Sequence, residues 1–83
     1  MEHADEMRWI SAVAATLRAE RGVADLTQAE VSRRTGVART SYRLYEEGKR
    51  QPDVVTLAKI AEAFKIPLSR LFAEAERRAN DRA

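Results

Sequence analysis

Apolar residues recur along this chain at steps of three and four, and short polar or glycine-bearing breaks divide them into five helical segments. Trp9, Ile10, Val13 and Leu17 share one face of a first helix predicted over about 5–21, which Gly22 ends. Val23-Ala24-Asp25 connect it to a second helix over 28–34. There Thr27 can cap the helix while Glu30, three residues on, reaches back to the Thr27 amide, and Leu26 and Val31 stand at hydrophobic-staple spacing. Gly36 stops this helix, because a left-handed conformation costs glycine little. A third helix is predicted over 39–47, ending at Gly48; Gln51-Pro52 then make a turn. Asp53 caps a fourth helix that carries Leu57, Ile60, Ala61 and Phe64 inward until Ile66-Pro67 break it. The fifth begins near Leu68, buries Leu71 and Phe72, and runs into the polar stretch AERRANDRA. Nothing alternates with a two-residue period for long enough to argue a strand. The pattern predicts an all-α fold: a compact five-helix bundle forming one domain over 1–83, its core over about 7–75 and a polar tail over 76–83.

Composition narrows the function classes. A chain of 83 residues, 45% hydrophobic and 34% charged, can bury one modest core. It has no cysteine, hence no disulfide framework and no thiolate metal site. No apolar run approaches the roughly 18–20 residues of a membrane span, and Met1–Asp5 lacks the basic start and apolar body of a signal peptide. The expectation is a soluble cytoplasmic protein with no membrane partner and no metal or other cofactor. Catalysis is not expected. His3 is a lone terminal histidine, Glu46 and Glu47 diverge on a helix, and no nucleophile–histidine set or phosphate-binding glycine loop is present.

Net charge is only +2, but its distribution is uneven. Residues 27–51 carry Arg33, Arg34, Arg39, Arg43, Lys49 and Arg50 against Glu30, Glu46 and Glu47, whereas residues 1–26 carry more acid than base. The basic stretch is also where two predicted helices meet across a short glycine-bearing turn, the outline of a helix-turn-helix. Val31, Val37, Tyr42 and Tyr45 fall where apolar side chains would interlock the pair, and Ser32 is the small residue at their approach. With both tyrosines inward, positions 39, 40, 43, 44 and 47 face outward. Arg39 and Arg43, one turn apart, can enter one major groove, where each good arginine–guanine pair discriminates by about 1–3 kcal/mol. Thr40 offers a hydroxyl or a methyl, and Leu44 suits a thymine methyl or a partner subunit. Gln28, in the first turn of the second helix, is expected to hold a phosphate. Ser41, Lys49 and Arg50 are further phosphate candidates, which position without reading sequence. Arg33 and Arg34 suit the dipole at the end of the second helix.

The stretch LTQAEVSRRTGVARTSYRLYEEGKRQPDVVTLAKIAEAFKIPLSRLF, Leu26 to Phe72, with LRAERG ahead of it, resembles the Cro/lambda-repressor-like DNA-binding domains, or xenobiotic-response-element family. Arg39-Thr40 and the overall length are similar to the short controller proteins of restriction–modification systems; phage-type regulators are the other close group. The resemblance implies a five-helix bundle of the lambda-repressor-like type. Such a protein would regulate transcription by binding double-stranded, near-palindromic operator DNA as a homodimer. It also implies a largely buried ion pair between Arg18 and Glu46 that ties the first helix to the recognition helix. Ala38, Thr35 and Lys65 depart from the family pattern, standing for a capping residue, an apolar core residue and a glycine.

Leu68, Leu71, Phe72 and Ala75 form a stripe on the fifth helix expected to supply the dimer interface. Two alternatives use the same bundle: a protein-interaction module, and an antitoxin whose partner would be a toxin. The arginines on the outer face of the third helix weigh against the first; nothing separates the second, or a contact with polymerase, from a simple regulator.

Overall fold

The computed structural model describes residues 3–81. Five helices succeed one another: α1 (His3–Val23), α2 (Gln28–Thr35), α3 (Arg39–Glu47), α4 (Val54–Phe64) and α5 (Leu68–Asn80). The described residues contain no strand, and the all-α expectation holds. No helix among them is long and apolar enough to cross a membrane.

Local chemistry sets most of the boundaries. The Thr27 hydroxyl accepts from the Glu30 amide at 3.1 Å, and the Glu30 carboxylate accepts from the Thr27 amide at 2.9 Å, completing the capping box that starts α2. Asp53 caps α4 through the Thr56 amide at 2.7 Å. Gly36 and Gly48 end α2 and α3 with φ of 77° and 73°, the left-handed region that favours glycine. Gly48 has a second constraint, since a Cβ there would lie 3.4 Å from Ile10 of α1. Lys65 ends α4 with φ of 60°, occupying without glycine's freedom the same left-handed position. Ala38 precedes α3 with no side-chain cap.

The helices close around Leu17, Leu26, Val31, Tyr42, Ile60, Ala61, Phe64 and Leu71, so each contributes to one core. α1 packs against α5 and α3, while α2 packs against α3 and α4. The helix-turn-helix is thus held on one side by α1 and on the other by α4.

Two expectations for α5 are corrected. The packed region does not stop at residue 75. The helix runs through Asn80, Ala79 is fully buried, and the Arg78 guanidinium reaches the buried Thr16 hydroxyl of α1 at 3.2 Å. Leu71, Ala75 and Ala79 recur every four residues, so the buried stripe continues; two small alanines among charges do not advertise it. The expected dimer stripe is also divided. Leu71 and Ala75 are buried within the bundle and Leu68 packs partly against its core, whereas Phe72 is 46% exposed rather than buried. Adjacent helix positions point about 100° apart, so with Leu71 inward Phe72 must point elsewhere.

Candidate nucleic-acid interface

The turn between α2 and α3 is closed by polar groups as well as apolar ones. The Ser32 hydroxyl donates to the Val37 carbonyl at 2.5 Å. Thr35 donates to the Val31 carbonyl at 2.7 Å and accepts from the Val37 amide at 3.2 Å. Thr35 therefore supplies the Val37 amide with a partner that an apolar side chain could not, which accounts for its presence here. Tyr42 is fully buried and meets the Tyr45 ring edge-on, with centroids 6.4 Å apart and planes at 84°. This anchor sets the rotation of α3. Arg39, Thr40, Arg43 and Glu47 come out exposed, Ser41 half-buried. Leu44 is half-buried too, not the fully exposed leucine its outward position suggests.

The inner end of α3 is fastened by a buried carboxylate. Glu46 is 2% exposed, and the arginine that meets it is Arg21, not Arg18. Nε and Nη2 of Arg21 donate to the two carboxylate oxygens at 2.6 and 3.0 Å, a fork-to-fork pair. A third nitrogen of Arg21 donates to the Leu26 carbonyl at 3.0 Å, tying in the loop before α2. Arg18 is exposed and donates to the backbone carbonyl of Glu46. The correction has a simple cause. Residues 18 and 21 are three apart and lie on one face of α1, so both reach α3, and the nearer to the α1–α2 loop takes the carboxylate. That spacing was the available signal for Arg21.

Gln28 joins the same cluster, its side-chain amide donating to Glu46 at 2.9 Å. A phosphate at Gln28 would compete with this bond. Burial acts to raise the Glu46 carboxyl, but the Arg21 fork and Gln28 outweigh it and hold the group below the ordinary carboxylate range. The neighbouring Tyr42 hydroxyl is raised far above its ordinary value, chiefly by burial, and stays protonated. It has no hydrogen-bond partner of good geometry.

The outer face is basic and partly self-paired. Arg50, in the loop after α3, donates to the Ser41 hydroxyl at 2.9 Å, bringing two phosphate candidates together. Glu47 takes Arg43 at 3.1 Å and Lys49 at 3.3 Å on its two oxygens. These bonds, Lys49's first, hold the Glu47 carboxyl below its ordinary value. Arg39 and Thr40 stand exposed at the opposite end of α3. The structure thus places Arg39, Thr40, Ser41, Arg43, Lys49 and Arg50 on α3 and the loop that follows it, and puts Gln28 behind α3 against Glu46. Away from this face, Trp9, Val13, Phe72 and Ala73 line an open groove between α1 and α5.

A helix-turn-helix family model matches residues 17–71. Two curated relatives are both described as a cryptic phage CTXphi transcriptional repressor, RstR. The one from Vibrio cholerae is 37% identical over 60 residues, covering 72% of this chain and 51% of the relative. The one from Vibrio cholerae serotype O1 is 36% identical over 52 residues, covering 63% and 46%. The chain spans about half the length of the curated relatives it matches.

Proposed function

Because the chain belongs to the helix-turn-helix family, we propose that it is a DNA-binding transcriptional regulator that acts by occupying an operator rather than by catalysis. The observation that carries this reading is the two-sided build of α3. Tyr42 and Glu46 lock its inner side, while Arg39, Thr40 and Arg43 stand exposed on its outer side. A helix so held can enter a major groove with its reading side chains already oriented. Arg39, Thr40 and Arg43 read base edges, and Leu44 adds an apolar contact at the margin. Ser41, Lys49 and Arg50 take phosphates, as do the first-turn amides of α2 beside Gln28. Similarity to phage repressors favours repression over activation.

The protein acts in the cytoplasm as a homodimer, its five helices forming one DNA-binding domain that presents two recognition helices about 34 Å apart to a near-palindromic operator. Phe72 and the groove beside Trp9, rather than the whole α5 stripe, form the dimer surface. Selection of tight binders from random-sequence duplexes tests the reading, with enrichment of a near-palindrome expected; equal binding to scrambled DNA would sink it. Arg39→Ala should relax preference at one base pair per half-site, whereas Arg50→Ala should weaken all sequences alike and flatten the salt dependence. Phe72→Glu should shift sedimentation to the monomer.

A further inference from the structure

Glu47 is the one exposed carboxylate of α3, on a face whose other charged side chains are Arg39, Arg43, Lys49 and Arg50, and the fold gives it no structural reason to be acidic. It occupies the last position of α3, where the helix dipole disfavours negative charge, and α3 has no basic residue in its last turn. Its helical partner Arg43 lies four residues before it, the weaker of the two orders for such a pair. A neutral residue would serve the helix at least as well. What Glu47 does contact is functional: Arg43 on one oxygen and Lys49 on the other. The second contact depends on the turn at Gly48, where the Lys49 amide donates back to the Leu44 carbonyl at 3.0 Å and swings the lysine alongside α3.

We propose that Glu47 sets the specificity of this face by holding Arg43 and Lys49 against indiscriminate phosphate contact. The inference rests on the DNA-binding reading above. On arbitrary DNA, a phosphate that reaches Arg43 or Lys49 also meets the Glu47 carboxylate between them, whose like charge repels it, whereas a base edge carries no such charge. On the operator, Arg43 can turn its remaining guanidinium nitrogens to a base edge while Nη1 stays on Glu47. The carboxylate therefore penalises non-specific binding more than specific binding.

The test is Glu47→Gln, measured against the selected operator duplex and a scrambled duplex over a range of salt concentrations. Two freed cations should tighten scrambled-duplex binding by about tenfold and steepen its logarithmic salt slope by roughly 1–2, since each neutralised phosphate contributes about 0.9. Operator affinity should rise less, so the ratio between the two duplexes falls several-fold, with the melting temperature unchanged or slightly raised. An unchanged ratio, or scrambled binding that fails to tighten, would overturn the inference while leaving the regulator reading intact. A marked drop in melting temperature would overturn it too, by showing that the carboxylate serves the fold. If the wild-type protein itself fails to distinguish the two duplexes, both readings fall together.

Discussion

Replacing Arg21 by methionine tests which arginine secures the recognition helix. The substitution keeps an unbranched side chain of similar length and removes the fork on Glu46. The carboxylate, 2% exposed, would be left with the Gln28 amide alone. Breaking a buried pair costs about 3–5 kcal/mol; because Arg21 is itself 25% exposed, solvent screens part of that, and about 2–4 kcal/mol is expected. A domain of this size holds about 4–12 kcal/mol in total, so much of the stability is at stake. Arg18→Met is the matched control, removing one hydrogen bond from an exposed side chain, worth about 1 kcal/mol. Urea unfolding followed by circular dichroism reads both, and at a slope near 1 kcal/mol per molar the Arg21 variant should lose roughly 2–4 M in midpoint.

The acid range adds a check of opposite sign. In the wild type the Glu46 carboxyl is depressed, so its contribution is complete above the ordinary carboxylate range and is lost as pH falls through its folded value. Without Arg21, burial dominates and raises that carboxyl above its unfolded value, so this group makes the variant lose stability as pH rises through the acid range. A loss below about 1 kcal/mol for Arg21→Met, a larger loss for Arg18→Met, or an unchanged pH slope would refute the assignment.

Three further outcomes are expected, each read by thermal or urea unfolding. Lys65→Gly relieves a left-handed lysine and should add about 1 kcal/mol, or about 4–8 °C in melting temperature. Ala38→Ser supplies the missing cap of α3 and should add about 1 kcal/mol; no gain would mean that the α3 amides already have partners. Ala79→Asp places an unpaired carboxylate in a fully buried site and should remove about 3 kcal/mol or more, whereas a truly polar tail would tolerate it.

The helices, their caps and the rotation of α3 were legible along the chain because each is decided locally. Thr27 and Glu30 make their own box, and Gly36 and Gly48 mark the left-handed ends of α2 and α3, although α1 runs through Gly22 to Val23 rather than ending at it. Apolar spacing turns Tyr42 inward and therefore Arg39, Thr40 and Arg43 outward. What spacing could not decide was which side chain completes a contact between helices. Arg18 and Arg21 are equivalent on the face of α1; only the approach of α3 and the Leu26 carbonyl gives the carboxylate to Arg21. Leu71 and Phe72 are equally apolar, yet the bundle has room inward for one. Ala79 and Glu47 carry little signal alone; Ala79 is buried beside Arg78, which reaches Thr16 on α1, and Glu47 meets Lys49 through the turn that returns it. Local backbone and capping energies act over three or four residues and are written in order along the chain. Partnership across the bundle depends on distances between helices, and these exist only once the core has closed.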